Sequence, residues 1–84
     1  MLNKQINLLN VGQWLTYIAL EDMNFLWSHN QVREFDELWK RGYSIRYIAE
    51  YFHRKPIEVL LLALDRAEKG KIEERKNGIW GEID

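Results

Sequence analysis

Eighty-four residues, 46% hydrophobic and 13% aromatic, are enough for one small core; a single domain is the expectation, and the composition favours a folded globule over a disordered chain. The absence of Cys excludes disulfides and thiolate metal sites, and a net charge of −1 argues against a protein that coats nucleic acid indiscriminately. That average hides an asymmetry, because residues 1–39 sum to −3, residues 40–76 to +4 and residues 77–84 to −2.

The N-terminus, MLNKQINLLNVGQW, is broken by Asn, Lys and Gln before an apolar run develops, so no secretory signal is expected. The longest apolar run, residues 59–64, is far short of the ~20 residues that span a bilayer, and a cytoplasmic location is the expectation. Residues 1–12 read as a short helix or an ordered arm. In residues 13–20 the β-branched and aromatic content suits a strand, with a helix running into Glu21 as the alternative. Residues 21–27 read as helix, with Met23, Leu26 and Trp27 on one side.

Ser28 and Gln31 form an S-x-x-Q capping box, a reciprocal hydrogen-bonded start signal. Val32, Phe35, Leu38 and Trp39 follow at helical spacing, and Gly42 is the stop. Ser44 is a good N-cap for a second helix carrying Ile45, Ile48, Ala49 and Phe52 on one face. His53, Arg54 and Lys55 break that pattern, and Pro56 supplies the fixed φ that suits the first turn of a third helix. Val59 and Leu62 on that helix are placed to pack back on Ile48, Ala49 and Phe52, and Gly70 ends it. In the tail, KIEERKNGIWGEID, Asn77-Gly78 suits a two-residue type I′ turn, which would face Lys76 with Ile79, Arg75 with Trp80 and Ile72 with Ile83.

The stretch GYSIRYIAEYFHRKPIEVLLLAL resembles the helix-turn-helix superfamily: Ile48-Ala49, then Val59 and Leu62 ten and thirteen residues after Ala49. With its leader it looks like small regulators of phages and mobile elements that carry a Myb-like or sigma-factor-region-4-like domain. The resemblance covers roughly residues 30–66. It implies Gly at the corner where this chain has His53, and a third helix presented to the DNA major groove. The expected fold is therefore mostly α: a three-helix core over residues 30–69, an N-terminal extension, and a hairpin over residues 71–83 resembling the wing of a winged helix.

Binding is the expected role, because the sequence offers no ready chemistry. His29 and His53 lie on different elements, so no metal site or cofactor is expected. The carboxylate pairs Glu21-Asp22, Asp36-Glu37 and Glu73-Glu74 are sequence neighbours that diverge on a helix, adjacent Ser28-His29 is the wrong geometry for a nucleophile and base, and there is no Gly-rich phosphate loop. Neither an enzyme nor a small-molecule substrate is expected.

For double-stranded DNA, the favoured partner, the candidate contacts are Ser44, Arg46, Arg54 and Lys55 at helix starts and the corner, with Lys71, Arg75 and Lys76 on the wing. Yet the third helix would offer the groove Ile57, Leu60, Leu61 and Leu64, which can touch a thymine methyl but cannot read base edges. Those four residues, with Trp14 and Trp80, are the candidates for the alternative role, a homodimer or a contact with another protein. Coverage of the same face by the chain's own N-terminal segment or hairpin is the other account of it.

Overall fold

The computed structural model describes residues 17–83. Three helices make up most of it: α1 (His29–Lys40), α2 (Ile45–Phe52) and α3 (Pro56–Glu68), followed by a single 3-10 turn at Gly78–Trp80.

Each helix starts where local chemistry dictates. The Ser28 hydroxyl accepts from the Gln31 N–H while the Gln31 side chain accepts from the Ser28 N–H, closing the capping box of α1. The Ser44 hydroxyl accepts from the Tyr47 N–H at 2.9 Å and opens α2. Pro56 sits in the first turn of α3, where its missing N–H costs nothing.

All three helices end in the same way, on a residue of positive φ whose neighbour's N–H reaches back to a carbonyl five residues earlier. Gly42 (φ 97°), His53 (φ 57°) and Gly70 (φ 69°) take that position. The back-bonds run from Tyr43 N to Leu38 O, from Arg54 N to Ala49 O and from Lys71 N to Arg66 O, at 3.1, 2.9 and 2.9 Å. His53 is the one that carries a Cβ into the left-handed region, and its side chain is exposed. His53→Gly is therefore expected to stabilise the domain by about 0.5–1 kcal/mol, read as a rise in the urea midpoint at constant m-value.

The core is the meeting of the three helices: Phe35 and Trp39 from α1, Ile45, Ile48 and Ala49 from α2, Val59, Leu62 and Ala63 from α3. Phe35, Ile48 and Val59 are fully buried. A bidentate ion pair, Arg66 Nε and Nη2 to the two Asp36 oxygens at 3.0 and 2.6 Å, ties α3 to α1.

Two stretches differ from expectation. Residues 17–27 contain neither strand nor helix; Leu20 has φ 62°, Met23 N closes a turn on Leu20 O, and the Asn24 side chain accepts from Leu26 N. That side-chain turn satisfies backbone locally and competes with a helix. Residues 1–16, which include Trp14 and the first half of the strand considered at residues 13–20, lie outside the described residues.

The hairpin expected over residues 71–83 does not form, and no strand occurs among the described residues. After Asn77 the chain makes successive i to i+3 bonds, Trp80 N to Asn77 O and Gly81 N to Gly78 O. The end of the chain instead pairs with the α1–α2 corner: Glu82 N and Ile83 N donate to Gly42 O, and Ser44 N donates to Ile83 O. Gly81 lies so close to that corner that a Cβ would stand 2.8 Å from Ser44 N.

Candidate functional site

The expected DNA contacts are dispersed by the fold into two kinds. Arg54 and Arg75 are inward, structural groups. The Arg54 guanidinium donates to Glu58 Oε1 at 2.7 Å, to Leu26 O at 3.1 Å and to Asn24 O at 2.5 Å, and lies 3.8 Å above the Trp27 ring. Only 10% of its side chain is exposed. It thereby staples residues 24–27 to the α2–α3 corner. Glu58 completes the staple by accepting from Asn24 N at 2.9 Å. The Arg54 hydrogen bond first, and the Asn24 N–H second, hold the Glu58 carboxyl below its ordinary pKa.

Arg75 does the same at the other end of the molecule. Its guanidinium donates to Gly78 O, Trp39 O and Tyr43 O at 2.6, 2.5 and 2.7 Å and stacks 3.7 Å from the Trp39 ring. Trp39 Nε1 donates in turn to Glu73 O. These contacts fix the C-terminal loop against α1, and they replace the expected wing.

Ser44 is buried and spends its hydroxyl on the α2 cap. Arg46 and Lys55 are exposed, at the start of α2 and just before α3. Lys71 and Lys76 are exposed on other sides, Lys71 beside Arg33 and Asp36, Lys76 beside Arg41 and Glu82. The seven candidates thus form no single basic surface.

The apolar candidates do converge. The outward stripe of α3, with the C-terminal loop as the second wall, forms a groove of about 480 Å³ lined by Ile45, Arg46, Pro56, Ile57, Leu60, Ile79 and Trp80. A further 240 Å³ along α3 shares Leu60 and Ile79 with it and reaches Leu64, Ala67 and Ile72. The two make one trough along the helix. Trp80 is 77% exposed at its rim and Leu64 56% exposed along it. Leu61 is the exception: it points to the other side, half-buried beside Phe25 and Trp27.

Sequence reasoning missed Glu58, Trp27 and Trp39 as partners of the two arginines. Glu58 stands four residues after Arg54, a readable ion-pair spacing; the two tryptophans carry no comparable local signal. Among the described residues no three His, Asp or Glu side chains gather as metal ligands, and no helix is long and apolar enough to cross a membrane. No protein-family model, curated protein or solved structure matches this chain.

Proposed function

We propose that this chain is a protein–protein interaction module that uses a helix-turn-helix-like core to display the apolar trough along α3. The observation that carries the reading is the side chains at the trough: Trp80, Leu64, Ile79 and Ile57 are 77, 56, 40 and 37% exposed, on the face a DNA-binding relative would turn to the major groove. A contiguous apolar surface of this kind marks an interaction site more often than an accident of folding. A protruding Trp beside a groove is also the residue type that dominates interface energetics.

The DNA reading keeps one supporting observation. Arg46 and Lys55 stand where the first turns of α2 and α3 would approach phosphates. Against it stand the commitment of Arg54 and Arg75 to carbonyls within the fold and the lack of base-reading groups where α3 lines the trough, at Pro56, Ile57 and Leu60.

The interaction reading requires the trough to be surface rather than core. Leu64→Asp together with Trp80→Asp is expected to leave stability within about 0.5 kcal/mol of the parent, as for other exposed positions, while ending partner binding. A loss of more than about 2 kcal/mol in urea melts would place these side chains inside the core and remove the basis of the reading.

A further inference from the structure

We infer that the trough is the interface of a homodimer, in which a second copy of the chain, related by a two-fold axis, seats its Trp80 in the hollow beside Ala67. This rests on the interaction reading above and names the partner.

One face of the molecule carries both a knob and a hole. The knob is Trp80, 77% exposed. The hole is the 240 Å³ reach of the trough, with walls from Leu60, Leu64, Ile72 and Ile79 over the small side chains of Ala63 and Ala67. Leu60 and Ile79 line the trough on both sides of the divide, so knob and hole are neighbours. An axis between them turns each Trp80 toward the other copy's hole. The same patch then serves both copies, as closed two-fold symmetry requires.

The hole suits an indole in particular. A buried Trp keeps one polar group, the Nε1–H, that needs an acceptor. The hole is apolar within, and the exposed carboxylates of Glu73 and Glu74 stand at its edge. The ring can therefore be covered while its N–H reaches a carboxylate. Nucleic-acid phosphates would meet those same carboxylates and be repelled.

The area is that of a weak, reversible dimer. The exposed parts of Trp80, Leu64, Ile79 and Ile57, with smaller shares from Leu60 and Ala67, amount to roughly 500–600 Å² per copy. Covering both copies removes roughly 1,100 Å² from water, just past the ~1,000 Å² that a specific interface needs. The expected dissociation constant is accordingly on the order of 10 μM.

The test is sedimentation velocity of the full chain from about 1 to 500 μM, a range that brackets that constant. The mass is expected to rise from that of one chain to that of two. Trp80→Ala, which removes the knob, and Ala67→Arg, which fills the hole, should each weaken the dimer at least tenfold. Mixed together, these two variants should associate more tightly than either does alone, because one intact knob meets one intact hole. Both positions are exposed, and circular-dichroism melts confirm that each variant is folded. A parent that stays monomeric throughout, or a dimer that either substitution leaves intact, would overturn the inference. Acrylamide quenching of a monomeric parent, compared with Trp80→Phe, then separates it from the interaction reading. A Trp80 open to the quencher leaves the trough for a different protein and overturns the homodimer alone; a shielded Trp80 shows the trough covered within the chain and overturns both.

Discussion

Arg54→Ala is expected to destabilise the domain by about 3 kcal/mol, because two charge-assisted hydrogen bonds to Asn24 O and Leu26 O and the stacking on Trp27 are lost together. The substitution also leaves the Glu58 carboxylate, 6% exposed, without its cation. Glu58→Gln tests the other half of the pair through pH. Its folded pKa lies below the ordinary value of 4.5, so it contributes stability above that pH and the contribution is lost as pH falls through the depressed folded value. The parent should therefore lose melting temperature as the solution is acidified below about pH 4.5. Glu58→Gln should lose correspondingly less over the same interval. A phosphate-binding arginine behaves otherwise: its removal spares the melting temperature and weakens DNA binding alone. Urea melts of Arg54→Ala at neutral pH separate the two.

Arg75→Ala is expected to cost about 3 kcal/mol as well, by removing three charge-assisted hydrogen bonds to backbone carbonyls and the cation stacked on Trp39. Arg75→Lys should recover little of that, since a single ammonium cannot point at Gly78, Trp39 and Tyr43 in the directions a planar guanidinium reaches. The consequence extends to the candidate site. Ile79 and Trp80 form the second wall of the trough only while the C-terminal loop is held against α1. Limited proteolysis should accordingly cut Arg75→Ala within residues 71–83 faster than the parent, and the variant should bind trough ligands more weakly even at temperatures where the helices persist. Unchanged protection of that segment would show that the bridge from Glu82 and Ile83 to Gly42 suffices alone.

What could be read from the sequence was what depends on neighbours along the chain. The capping box at Ser28 and Gln31, the Ser44 cap, Pro56 and the terminal glycines each act within one turn of helix, so α1, α2 and α3 were legible almost to the residue. The left-handed corner at His53 was indicated only through the resemblance, which implies Gly at that position. The C-terminal segment was not legible, because Asn77-Gly78 is a sound local turn signal overridden by contacts with residues more than thirty positions away. Arg54 and Arg75 were misread as surface cations for one reason in common: their acceptors are backbone carbonyls and ring faces, which leave no pattern in sequence. The apolar character of α3 was visible from the start; that Leu60 and Leu64 share a trough with Ile79 and Trp80, while Leu61 turns away, depends on where the loop returns.

The most direct test of α3 as a protein-docking rather than a DNA-reading face is fluorescence anisotropy of a labelled random-sequence duplex titrated with the full chain, in salt from about 50 to 200 mM. The account predicts no saturable binding even at the lowest salt. Saturable binding that falls steeply across the series, and that disappears in Arg46→Ala with Lys55→Ala, would contradict it and make the trough side of α3 a nucleic-acid surface.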